Sequence, residues 1–192
     1  MAKDEMFPIG RPKPSPAPIP EDHPLRTLFR TLVARAFDET LGISEPKISR
    51  YLADMLTDFA HCDNLYRIHN RQGVRLEEVA AMLMEADVAL NATSFERERA
   101  VHKHIGDFTL FWAGIYPEAL LKLRAPGRAD SLIDYVRQGK KSYYIVSTFQ
   151  YGPYAPEASL FRQLSEEFEL CQYGLNLVRR QWEHLAQMRQ RL

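Results

Sequence analysis

Cysteine is scarce in this chain, glycine is modest, and net charge is absent: 192 residues carry two Cys, nine Gly, and 25 Lys+Arg set against 25 Asp+Glu. Each shortage excludes something. Cys62 and Cys171 are too few for a disulfide framework and lack the C-x-x-C spacing of a metal site. A balanced charge argues against a dedicated nucleic-acid binder, because neutralising phosphates needs a basic surplus. No run of about 18 apolar residues occurs, so no membrane-spanning segment is expected. The first residues lack the apolar core of a secretory signal, and the expected location is the cytoplasm. There are no alternating strands of useful length, no Asn-Gly hairpin signal and no internal repeat. Walker A, dinucleotide-binding, G-x-S-x-G and H-E-x-x-H motifs are all missing, and no cofactor is implied.

What remains is 45% hydrophobic and 26% charged, an ordinary globular composition on a length that suits one domain preceded by an arm. The arm is residues 1–24. Seven of the twelve prolines fall there, at Pro8, Pro12, Pro14, Pro16, Pro18, Pro20 and Pro24. Proline fixes φ and donates no backbone hydrogen bond, which predicts an extended, polyproline-II-like stretch. It reads either as a tail or packed arm, or as a ligand for a partner that takes proline-rich segments.

From Leu25 to Leu192 the apolar period is helical, and the predicted fold is all-α, about seven helices in one domain. Leu25, Leu28, Phe29, Leu32, Val33, Ala36 and Phe37 form the first stripe, stopped by Gly42. Ser44 is the expected N-cap of the second helix, with Pro46 in its first turn. Its stripe is Ile48, Tyr51, Leu52, Met55, Leu56 and Phe59. A polar loop follows from His61 to Gly73, with an extended piece at Leu65 to Ile68. Helical spacing resumes over Leu76 to Leu90. Thr93 and Glu96 suggest a capping box for a helix running to Tyr116. A short helical piece spans Leu120 to Leu123, and Asp130 or Ser131 is expected to cap the next helix. Tyr151 to Pro156 then breaks the pattern.

The strongest periodicity lies between Glu157 and Leu192. Phe161, Leu164, Phe168, Cys171, Leu175, Val178, Trp182 and Leu185 alternate steps of three and four, an a/d seam suited to packing against another helix. One continuous helix here would be roughly 54 Å long, more than the roughly 40 Å diameter of a compact domain of this size. Gly174 therefore breaks it, or its end projects to a partner. Acidic residues crowd its first half (Glu157, Glu166, Glu167, Glu169) and basic ones its second (Arg179, Arg180, Arg189, Arg191), which suggests antiparallel pairing of two copies. The seam reads either as an ordinary long core helix or as a dimerisation helix, in which Phe168, Leu175, Val178, Trp182 and Leu185 are the expected interface of a homodimer, with Trp182 as its anchor.

Chemistry has few places to sit. His102 and His104 form an H-x-H that cannot chelate one ion on a helix, where two residues turn by about 200°. Each has an acidic neighbour: Glu98 four residues before His102, and Asp107 three residues after His104. His104 with Asp107 as orienter is a candidate base or ligand, and so a candidate catalytic pair. Glu98, His102, Tyr143 and Tyr144 are candidate ligand-binding residues. A di-iron bundle needs Glu-x-x-His on two helices, and only Asp58-x-x-His61 approximates it. His61, Cys62, Asp63 and His69 lack the second ligand pair of a zinc site, and no metal is expected there. Lys122, Arg124, Arg128, Arg137, Lys140 and Lys141, interleaved with Tyr135, Tyr143 and Tyr144, form a basic stretch that could hold an anion. Two functional readings follow. One is an interaction protein that self-associates through its last helix. The other is a small-molecule- or metal-binding helical protein or enzyme with a pocket near His104 and Asp107.

Overall fold

Proline and short capping side chains set where the helices begin. The computed structural model describes residues 19–43 and 45–190. Helix α1 (Pro24–Ala34) opens on proline at N1, with His23 Nδ1 accepting from the Leu25 amide, and runs into a π turn over Arg35–Thr40. Helix α2 (Pro46–Phe59) also opens on proline, with Glu45 at its N-cap; the expected cap, Ser44, lies outside the described residues. A single turn, α3 (Cys62–Leu65), precedes the expected extended piece and overlaps it only at Leu65; after it the Ile68 carbonyl accepts from the Leu76 amide at 2.8 Å, beside an isolated bridge between His69 and Arg75. Helix α4 (Val79–Ala86) is shorter than the apolar period predicts.

Helix α5 (Phe95–Ile115) is capped by Ser94, which accepts from the Arg97 amide, one residue later than the expected Thr93 box. After the short α6 (Leu120–Leu123), α7 (Tyr135–Ser147) starts under Asp134, which accepts from the Arg137 amide. Asp130, expected to cap this helix, caps α4 instead. Its carboxylate accepts from the Val79 and Ala80 amides at 2.9 and 2.8 Å and from the Tyr135 hydroxyl at 2.6 Å. The sequence spacing pointed to the nearest helix, and the tertiary fold supplied one fifty residues away.

The last seam is not one helix. Helix α8 (Ala155–Glu166) ends at Glu167, which leaves helical geometry at φ −102°, ψ 25°, and α9 (Phe168–Gln190) begins at once. The break falls there and not at Gly174, which is helical and pressed against the Phe37 ring; a Cβ on it would lie 2.3 Å from that ring. Of the four acidic residues of the seam's first half, Glu157 and Glu166 are on α8, Glu167 is at the break and Glu169 is in the first turn of α9, so they do not lie on one continuous helix with the basic half.

The result is an all-α single domain, with nine α-helices among the described residues. Helix α5 runs through its middle, packed on α7, α9 and α4, while α1 and α2 pair alongside. One contiguous core takes side chains from Phe29 to Val178. No described helix is long and apolar enough to cross a membrane.

Candidate functional site

The middle of α5 brings two of the candidate residues, Asp107 and Tyr143, together, in a pairing the sequence did not suggest. Gly106 has no side chain, so the Tyr143 ring of α7 lies directly on the helix; a Cβ there would sit 2.5 Å from the ring. That approach brings the Tyr143 hydroxyl to Asp107, donating to Oδ1 at 2.8 Å. The Tyr51 hydroxyl of α2 donates to the same oxygen at 2.5 Å, and Lys103 Nζ, one turn earlier on α5, donates to Oδ2 at 3.0 Å. A carboxylate only 4% exposed thus ties α2, α5 and α7 together. Burial, reinforced by the Asp107 charge, pushes both tyrosines well above their ordinary pKa, so they stay protonated and act as donors.

A cavity of about 230 Å³ opens beside this cluster, lined by Arg26, Asp54, Asp58, Lys103 and Asp107, among others. Its charges are paired: Arg26 with Asp54 at 2.5 Å, Arg67 with Asp58, and Lys103 with Asp107. Paired charges and a half-buried lysine suit a small polar ligand more than a strongly charged one.

His104 is not part of the cluster. It turns the other way, 3% exposed, its ring against Phe59 and Phe108 at centroid distances of 5.7 and 6.0 Å. Neither ring nitrogen has a hydrogen-bond partner, and burial depresses its pKa to about 3. The expected His104–Asp107 pair therefore does not form. Three residues apart on a helix they stand only about 60° apart around the axis, so spacing allowed the pair; Tyr51, Tyr143 and Lys103 take the carboxylate instead, while the His104 ring packs against Phe59 and Phe108. His102 does not meet Glu98 either. Its Nδ1 lies 3.3 Å from Ser142 Oγ, and burial lowers its pKa to about 4. Glu98 stands at the edge of a separate aromatic groove, where burial raises its carboxyl. Tyr144 is exposed, with the Arg162 guanidinium 4.5 Å above its ring.

Tyr51 and Lys103 are the cluster members the sequence reading passed over. Tyr51 looked like one more apolar position on α2. Lys103 carried a usable signal, because Lys and Asp four apart on a helix face each other. The basic stretch is no stacking surface: Tyr135 and Tyr143 point inward, Arg128 pairs with Glu78 and Lys140 with Glu169. Among the described residues, no three His, Cys, Asp or Glu side chains converge as metal ligands.

The expected interface is mostly internal. Phe168, Leu175 and Val178 are fully buried against the body of their own chain, as is Cys171, whose thiol burial pushes up to about 12. Only the outer seam is left open. Trp182 is 37% exposed, edge to face on Phe29, and Leu185 and Met188 are 38% and 54% exposed; every residue from Trp182 to Met188 is exposed.

No protein-family model matches this chain, and neither curated proteins nor solved structures give a match.

Proposed function

We propose that this is a cytoplasmic interaction protein that self-associates through the outer end of α9. The carrying observation is the stripe Trp182, Leu185 and Met188, three apolar side chains at three-residue steps left open to solvent on the last turns. Trp182 and Leu185 continue the same seam that packs the inner part of α9 into the core, and Met188 stands beside it one turn further. A narrow seam suits a second helix, and a two-fold axis supplies an identical one from another copy. Leu25 and Leu28 of α1, half-buried beside Phe29, extend the apolar surface. Native mass spectrometry of the wild type and of Leu185→Glu tests the reading. A dimer that the substitution reduces to monomer supports it; a wild-type monomer, or a dimer indifferent to the charge, overturns it.

A second reading keeps one observation in its favour, the Tyr51–Asp107–Tyr143–Lys103 cluster at the wall of a cavity. In it a small polar ligand binds there, with Lys103 as the reachable group and no part for His104. A ligand mass retained by the native protein and lost in Lys103→Met would favour this reading.

A further inference from the structure

The groove at the start of α5 leaves two aromatic rings open to solvent. Phe95 is 71% and Tyr151 88% exposed, and they share the groove, of about 480 Å³, with Ile145, Phe149 and Tyr154. Phe149 and Tyr154 meet edge to face, centroids 6.5 Å apart. Glu96 and Glu98 line it as well, and neither has a cationic partner among the described residues, although Glu21, Glu78, Glu118 and Glu169 are all ion-paired.

We propose that this groove receives the start of the chain's own proline-rich segment, residues 11–14, with Pro12 and Pro14 on the exposed rings and Arg11 and Lys13 against Glu96 and Glu98. Aromatic-lined grooves recognise proline-rich segments because the extended conformation is already favoured and little entropy is lost on docking. The sequence Arg11-Pro12-Lys13-Pro14-Ser15-Pro16-Ala17-Pro18 offers both the prolines and two cations, and the groove offers both the rings and two unpaired anions.

The point where the described chain begins favours the same occupant. The Ile19 carbonyl accepts from the Arg26 guanidinium at 2.8 Å, and Arg26 lines the cavity that Lys103 also lines. From Lys103 back to Phe95 is eight residues of α5, about 12 Å along its axis. Arg99 lies between them, its guanidinium 4.1 Å above the Tyr154 ring and 5.6 Å from the Phe161 ring, near which Lys103 also sits. Six residue steps lead from Lys13 to Ile19, and at about 3.1 Å each they reach about 19 Å, more than the length of α5 between Lys103 and Phe95. The inference does not depend on self-association.

Zero-length coupling of the full-length protein with a carbodiimide tests it, because the reagent joins a lysine amine to a carboxylate in contact, forming an amide with loss of water. Lys13 should couple to Glu96 or Glu98, in a yield that does not change on dilution, and within single chains when isotopically labelled and unlabelled protein are mixed. Phe95→Ala with Tyr151→Ala, both on exposed rings, should lower that yield about tenfold, as loss of the aromatic platform predicts. Coupling of Lys13 that shows no preference for these glutamates, or that joins only different chains, overturns the proposal.

Discussion

The middle of α5 and the outer end of α9 handle their side chains in opposite ways. Around Asp107, polar groups are inside and each finds a partner: two tyrosine hydroxyls, a lysine and a carboxylate close on themselves across three helices. Beyond Val178, apolar groups are outside and find none: Trp182 has one ring neighbour in Phe29, and Leu185 and Met188 face water. Leaving a buried polar group bare costs the full desolvation penalty, which this cluster avoids and the neighbouring His104, held neutral, does not. Exposed apolar groups carry no such penalty and remain free to meet another molecule. The first region is therefore expected to govern stability, and the second association.

The comparison breaks most visibly at Asp107. Asp107→Ala leaves two buried tyrosine hydroxyls without an acceptor and should cost about 3–5 kcal/mol in urea unfolding, whereas Asp107→Asn keeps an acceptor and should cost less. A loss below about 1 kcal/mol would show that the network contributes little. On α9, the inner seam should behave like the middle of α5: Leu175→Ala, fully buried against Gly114, should cost about 2–5 kcal/mol in the same measurement.

Acid sharpens the contrast. His102 and His104 are held neutral in the fold, at about 4 and about 3, while an unfolded histidine titrates near 6.5. Below that value the unfolded chain binds more protons. Stability is complete above about pH 6.5 and should fall by about 2 kcal/mol per pH unit between roughly pH 5.5 and 4.5. His104→Leu, which keeps the volume among Phe59 and Phe108, should remove about half of that slope. An unchanged slope would mean that His104 does not set it.

The smallest effect on stability should come from Leu185→Glu, within about 0.5 kcal/mol of the wild type, because the site is on the surface. Its effect should appear in the oligomeric mass instead. Equal stability with unchanged mass would erase the distinction between the two regions.

Most of the fold was legible because its signals are local. The stripe from Leu25 to Phe37, the proline at the start of α2, the long α5 and the short α6 all follow from spacing and from backbone restrictions that act within a few residues. Where the reading went wrong, a partner distant in the chain had intervened. Asp130 looked like a cap for the helix beside it and caps α4. Gly174 was one of two expected ways to resolve the length of the last seam, and it makes room for Phe37 while the break falls at Glu167. Phe168, Leu175 and Val178 looked like an interface and are core, because a seam spaced by threes and fours reads the same whether its partner is another chain or α5 and α1.

The site divides in the same way. The sequence by itself determined that a helix would carry Asp107, Lys103 and His104, and that Lys103 could face Asp107 one turn away. Only the tertiary structure decided that Tyr51 and Tyr143 would take the carboxylate and that His104 would be sealed among Phe59 and Phe108. Helical periodicity fixes the angle between neighbours on one helix, but which face of another helix arrives there depends on packing across the whole core.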